Sequence, residues 1–222
     1  LRDEADFIIT NPPFSLFREF LSWIFEGEKK FSIIGNMNAI TYKEVFPLIM
    51  QDKIWLGVSS GSKTYLKPDG TEHKMGNTCW FVNLEHGRRH EPLSLMTMED
   101  NLRFNKTIKE VGYKKYDNYE AIEVPKTVAI PSDYKGVMGV PISFLDKYNP
   151  DQFEIVGSDA YVGTPPTKKY KNKVKVKDGV RMKSNTGTMG CVIKEEKFGS
   201  GTYFDVGYPV RAVYKRIFIK HR

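Results

Sequence analysis

Cysteine is almost missing from this sequence: Cys79 and Cys191 are the only two in 222 residues. Two are too few for a disulfide framework, and the expected compartment is the reducing cytoplasm. Histidine is scarce as well, limited to His73, His86, His90 and His221. Neither residue type falls at the spacing of metal ligands, so no metal site is expected. No apolar run approaches the roughly 18 to 20 residues that span a bilayer. The start of the chain has neither the basic nor the apolar segment of a signal peptide. Disulfide-scaffold, zinc-dependent and membrane classes are thereby set aside, and the chain has no internal repeat or low-complexity tract.

What is present is ordinary in amount and uneven in placement. Hydrophobic residues make up 40% and charged residues 27% of a chain long enough for one large or two modest domains. The formal net charge is +7, yet residues 160–222 hold 15 Lys and Arg against 4 Asp and Glu, leaving 19 against 23 for residues 1–159. A slightly acidic body with a basic C-terminal third points to a polyanion-binding surface confined to one region, with nucleic acid as the leading candidate.

Asp6–Thr10 is short, apolar and β-branched, the pattern of a strand buried on both faces. Phe17, Phe20, Leu21 and Ile24 then recur at i, i+3, i+4 and i+7 on one helix face, with Gly27 to end it. Phe31–Gly35 reads as a second buried strand, Thr41 as the N-cap of a helix running to about Gln51, and Ile54–Val58 as a third strand. This alternation is α/β architecture with largely parallel pairing. Ser59–Gly76 is polar and glycine-bearing and reads as a long surface loop, and Asn77–Asn83 as an antiparallel edge strand of the same sheet. Later, Pro141–Tyr148 predicts a short helix, while Gln152–Val156 and Val213–Ile219 predict strands. We expect one region over residues 1–100 and a second, β-rich and basic at its C-terminal end, over residues 101–222, the boundary falling between Arg88 and Asn105.

At the junction of the first strand and helix stand Asn11, Pro12, Pro13 and Phe14. Prolines end strands because they lack an N–H donor, so a plain turn would account for them. Their place is suggestive nonetheless, since ligands of open α/β sheets bind beyond the carboxyl ends of strands. Their chemistry suits an exocyclic amine such as adenine N6, whose lone pair is delocalised into the ring. Acceptors on Asn11 and the Pro12 carbonyl can grip the two N–H protons and free that lone pair for in-line attack. Such contacts strengthen as positive charge develops on nitrogen. Pro12 and Pro13 keep the carbonyl aimed, and Phe14 offers a face for a planar base.

The tetrapeptide is similar to the catalytic motif of amino-methyltransferases. Together with "IIGNMNAITYKEVFPLI", "KIWLG", "GNTCWFVNL" and "GVPISFLDKYNPDQFEIVG", it gives the chain a resemblance to the EcoRI-type adenine-specific DNA methyltransferases over about two thirds of its length, from residue 5 to residue 157. The resemblance implies a Rossmann-like sheet and methyl transfer from S-adenosylmethionine to adenine N6 in a short sequence of double-stranded DNA, with the target base flipped out of the helix. It implies a separately encoded cognate restriction endonuclease as partner. By the same resemblance, Asn11 and Pro12 bind the target amine and Phe14 stacks on the base. Asn36 and Asn38, just past the second strand, are either substrate ligands or turn residues that cap a helix.

The family binds its cofactor with a glycine-containing loop that normally precedes this motif, but only ten residues stand before Asn11. Gly199-Ser200-Gly201 is the only downstream candidate, and the strand-like residues after it do not suit a nucleotide loop. We therefore expect the chain to be a fragment, inactive in isolation, with its main cofactor loop upstream of Leu1.

Thr167–Lys183 holds eight basic residues and one acid. With Lys171, Lys173, Lys175 and Lys177 alternating along an extended segment, the lysines share one face. Joined by Lys168, Lys169 and Arg181, they read either as a phosphate-contacting ribbon or as an edge strand armoured against aggregation. Lysines position a protein on DNA and read bases poorly; Arg88, Arg89, Arg181 and Asn185 are candidates for base contacts. Two other readings stay open: a methyltransferase acting on an RNA base amine or a protein glutamine, and a non-catalytic DNA-binding module.

Overall fold

The apolar run before Asn11 forms a strand, β1 (Phe7–Thr10), and the periodic run after it forms a helix, α1 (Phe17–Glu26), in a computed structural model that describes residues 2–159, 168–182, 189–197 and 201–222. The chain is mixed α/β and falls into two units, residues 1–92 with Leu145–Pro150, and Leu93–Phe144 with Asp151–Arg222.

In the first unit β2 (Lys30–Asn36), α2 (Phe46–Met50), β3 (Trp55–Leu66) and β4 (Glu72–Val82) complete a sheet of order β1-β2-β4-β3. β1 and β2 are parallel, whereas β4 is antiparallel to both of its neighbours. The three strands read first therefore run the same way, but the strand expected at the edge lies inside the sheet. A tight β3–β4 turn permits only antiparallel pairing, and β4 then docks against β2. β1 is not buried on both faces: it pairs only with β2 among the described residues, and Ile9 is 67% exposed. Thr41 is not the cap of a long helix either. Asn36 caps a short 3-10 helix over Met37–Thr41, and the Thr41 hydroxyl donates back to the Asn38 carbonyl at 2.9 Å.

The segment expected to be a loop, Ser59–Gly76, instead makes most of a long hairpin. Asp69-Gly70 turns it, with Gly70 at φ +80° and the Asp69 carboxylate accepting from Thr71. Pairing of β4 with β2 stops at Asn36–Thr78, so residues 72–77 are bonded to β3 alone. The hairpin thus leaves the sheet as a two-stranded ribbon beyond the carboxyl ends of β1 and β2. At its root the register slips between Gly61 and Lys63, and Gly61 and Asn77 both adopt positive φ, a bulge that bends the ribbon.

The helix face expected from the sequence is the one that packs. Phe17, Leu21 and Ile24 of α1 meet Phe31, Ile33 and Phe81 of the sheet, none more than 2% exposed. Burying a side chain of this size stabilises by about 1.5–3 kcal/mol. The rings of Phe17 and Phe81 lie 4.9 Å apart, and Gly35 admits them: a Cβ there would stand 2.5 Å from one ring and 2.8 Å from the other.

The second unit opens with α3 (Met98–Phe104) and α4 (Ile108–Val111). One sheet has the order β5-β6-β13-β7, from β5 (Ile122–Glu123), β6 (Met138–Pro141), β7 (Phe153–Ser158) and, at the chain's end, β13 (Arg216–His221). The other has the order β10-β12-β11-β8-β9, from β8 (Val174–Lys177), β9 (Val180–Arg181), β10 (Val192–Lys194), β11 (Thr202–Asp205) and β12 (Pro209–Ala212). Tyr116 joins the two, bridging to Ile193 and packing edge-on against Phe218 at 5.9 Å. Its hydroxyl donates to Glu123, which Arg216 also grips with two nitrogens. Among the described residues no helix is long and apolar enough to cross a membrane.

Candidate active site

Asn11–Phe14 leave β1 where the chain must turn back over the sheet. Pro13 sits at φ −53°, ψ 129°, and its carbonyl accepts from Leu16 N–H at 2.9 Å, closing a short 3-10 turn over Phe14–Leu16 that runs straight into α1. Buried Phe17 anchors that turn from behind, so the tetrapeptide is held between β1 and a helix clamped to the sheet. The Pro12 carbonyl and the Asn11 side chain are different: neither is hydrogen-bonded among the described residues, although Pro12 is buried. Backbone acceptors of buried residues are usually paired within the protein, so an unbonded carbonyl at the edge of a cleft is a candidate acceptor for a ligand donor.

All four motif residues line one open cleft of about 550 Å³, whose facing wall is the β3–β4 ribbon through Tyr65, Leu66, Lys67, His73 and Met75. That volume is in the roughly 300–1,000 Å³ range of small-molecule sites. The ribbon residues were missed by the sequence reading, which took this stretch for a loop. The available signal was the Asp69-Gly70 dipeptide, a favoured hairpin turn.

Asn36 and Asn38 lie at the carboxyl end of β2. The Asn36 carboxamide oxygen accepts from Asn38 N–H at 2.8 Å, the capping arrangement, and neither residue lines the cleft. Arg88 and Arg89 are engaged within the fold. Arg89 is 5% exposed, lies 3.8 Å over the Trp55 ring and pairs with Asp52 and Glu85. Arg88 bonds Asp146 at 3.0 Å and the Val58 carbonyl, while Asp146 also accepts from Ser60 at 2.7 Å. Their donors hold β3 and the following turn in place and are spent on internal partners. The thiol of Cys79 is pushed up to about 12 by burial and by nearby Asp146, and that of Cys191 to about 12 chiefly by burial, so neither is a ready nucleophile.

In the basic segment, Lys175 and Lys177 lie on β8, an inner strand between β11 and β9. That position takes these two lysines off the edge, which β9 with Arg181 forms; Lys171 and Lys173 precede the strand, so the expected four-lysine strand face is only half present. Asp178 and Gly179, both at positive φ, turn the chain into β9. Lys169, Lys171 and Lys177 are exposed, and Lys173 and Lys175 half-exposed. Lys168 instead donates to Asp117 at 3.0 Å, and Tyr170 and Tyr208 donate to the same carboxylate at 2.5 and 2.7 Å. Burial alone would raise the Asp117 pKa, but these three donors together hold it below the usual carboxylate value. Arg181 pairs with Asp205 at 3.1 Å. Asn185 lies outside the described residues, as do Gly199 and Ser200, while Thr202 begins a strand and not a helix.

The family model described as "Adenine-specific methyltransferase EcoRI" matches residues 1–222. The chain belongs to this family. It is 46% identical over 173 residues to the type II methyltransferase M.EcoRI of Escherichia coli, a match covering 70% of the chain and 51% of that protein. The type II methyltransferase M.MpnI of Mycoplasma pneumoniae is 35% identical over 174 residues, covering 70% of the chain and 52% of the relative. M.MgeORF184P of Mycoplasma genitalium is 34% identical over 171 residues, covering 69% and 52%. The chain therefore spans about half the length of the curated relatives it matches. No solved structure matches it.

Proposed function

We propose that the chain carries the amine-holding and DNA-contacting parts of a site-specific adenine-N6 DNA methyltransferase of a restriction–modification pair, with a separately encoded endonuclease as its counterpart. The observation that carries this reading is the convergence of Asn11, Pro12, Pro13 and Phe14 on one cleft, with Asn11 exposed and the Pro12 acceptor unbonded. The target adenine is flipped from the duplex, at a cost of a few kcal/mol that the pocket must offset. The Asn11 side-chain oxygen and the Pro12 carbonyl then accept the two N6 protons, and the ring of Phe14 covers one face of the base. As N6 takes up positive charge, both acceptors bind it more tightly than they bind the neutral amine, which lowers the barrier selectively.

S-adenosylmethionine is the methyl donor in this reading; when bound, it supplies an electrophilic methyl group. The described residues do not form its cradle, since no glycine-rich loop opens a helix at a strand end among them. The parallel β1–β2 pair with a site at its carboxyl end supports a Rossmann-like sheet. DNA phosphates are contacted by Lys169, Lys171, Lys173, Lys175 and Lys177, of which Lys175 and Lys177 stand on β8, inside the sheet. Lys168 and Arg181, each in an ion pair, serve to fasten this segment to its own unit.

Asn11→Ala in the intact enzyme tests the reading. Methylation falls by about 10²–10³, the effect of losing one preorganised polar partner of developing charge, while DNA affinity holds. Full activity of the variant would overturn the assignment and leave the tetrapeptide as a turn.

A further inference from the structure

A planar base has two faces, and Phe14 covers one. The β3–β4 ribbon lines the same cleft as Phe14. Tyr65 and His73 are directly opposed across it, and Lys63 and Met75 form the neighbouring pair. Residues two apart in a strand share a face, so Tyr65, His73 and Met75 lie on one side of the ribbon, the side that lines the cleft opposite the motif. On the β3 side burial alternates to match, Lys63 and Tyr65 being half-buried and Thr64 and Leu66 exposed; on the β4 side Met75 is half-buried while His73 is exposed to the cleft, and Leu66 and Lys67 complete its rim. Neither the Tyr65 hydroxyl nor the His73 ring makes a hydrogen bond among the described residues, so no internal contact accounts for a Tyr–His pair on this face.

We propose that Tyr65 and His73 form the second wall of the base pocket, holding the extrahelical adenine against Phe14. The inference rests on the adenine methyltransferase reading and adds to it a specific task for the ribbon. Both rings offer a π surface, and stacking on an aromatic is tolerant of the exact pose of a base entering from the duplex. Because the ribbon is bonded to the sheet only at its root, the wall can be altered without touching the core.

The test uses the intact enzyme and two duplexes carrying the sequence it methylates: one with the target adenine mispaired, the other abasic at that position. Tyr65→Ala is expected to weaken binding of the adenine duplex by roughly 5- to 150-fold, the range given by loss of one stacking partner, with the abasic duplex bound as by wild type. His73→Ala shifts the same ratio in the same direction, and Tyr65→Phe restores it. Tyr65→Leu, which keeps apolar bulk but lacks the ring face, behaves like Tyr65→Ala and covers the case in which the alanine variant misfolds. Equal losses on both duplexes, or no loss on either, would overturn the wall. Asn11→Ala, run in parallel, separates the two claims: if it is inactive while Tyr65→Ala discriminates the duplexes as wild type does, only the wall fails. If Asn11→Ala methylates normally, the underlying reading fails.

Discussion

Gly35→Ala tests how the core holds the Asn11–Phe14 turn. The added Cβ would meet the Phe17 ring at 2.5 Å and the Phe81 ring at 2.8 Å, and these rings are 1% and 0% exposed, so neither can swing out into solvent. Forcing a methyl group into such a core costs about 1–3 kcal/mol. Alanine recovers about 0.4–1 kcal/mol by restricting the unfolded chain, leaving a net loss of about 1.3 kcal/mol at mid-range. Trp23, Trp55 and Trp80 are the only tryptophans and all belong to the first unit, so urea denaturation followed by their fluorescence reports on that unit alone. Phe17 opens α1, directly after the turn that presents Phe14. Displacing it tilts the motif, and a shift of about 1 Å at a reacting centre can cost ~10²-fold in rate. Activity should therefore fall further than stability. Adding Phe81→Leu makes room for the methyl, and the pair should be less damaging than the sum of the single changes by about 1 kcal/mol, within the range seen for touching residues. A neutral Gly35→Ala, or strict additivity with Phe81→Leu, would refute the packing argument.

The remaining predictions concern the second unit. The folded-state pKa of Asp117 is depressed, so its contribution to stability is full above the unfolded value of about 3.9 and disappears as pH falls through the lower folded value. Asp117→Asn should flatten that acid limb and cost about 2 kcal/mol near neutrality, as measured by hydrogen exchange in β10 and β12; parallel pH curves for the two proteins would contradict the role given to its three donors. Replacing Lys171, Lys173, Lys175 and Lys177 together by Ala should reduce the salt slope of DNA binding by ~0.9 for each phosphate no longer neutralised. An unchanged slope would show that the strand does not face DNA.

The part of the site that was legible in the sequence is the part built from residues with little conformational choice. Two prolines between an apolar run and a 3.6-period run left one place for Asn11 and Phe14, and the buried face of α1 follows directly from Phe17, Leu21 and Ile24. The cleft's other wall was not legible because its residues carry no apolar alternation: Lys63–Leu66 and Thr71–Met75 are mostly polar, since the ribbon they form has no core beneath it. Only backbone pairing and the Asp69-Gly70 turn define it. The inner position of β4 was hidden for a related reason. Strand order is set by which hydrogen-bonding edge remains open for docking, and local pattern does not record that. The arginines Arg88 and Arg89 invited a nucleic-acid reading by charge, but Asp52, Glu85 and Asp146, distant in sequence from one another, engage them.

The most direct test of the central claim is the chemical identity of the product: mass spectrometry of nucleosides from DNA incubated with the intact enzyme and S-adenosylmethionine. The account predicts N6-methyladenine as the methylated nucleoside, absent from the Asn11→Ala reaction. Methylated cytosine in its place, or unmodified DNA from an enzyme shown to bind both DNA and cofactor, would contradict it.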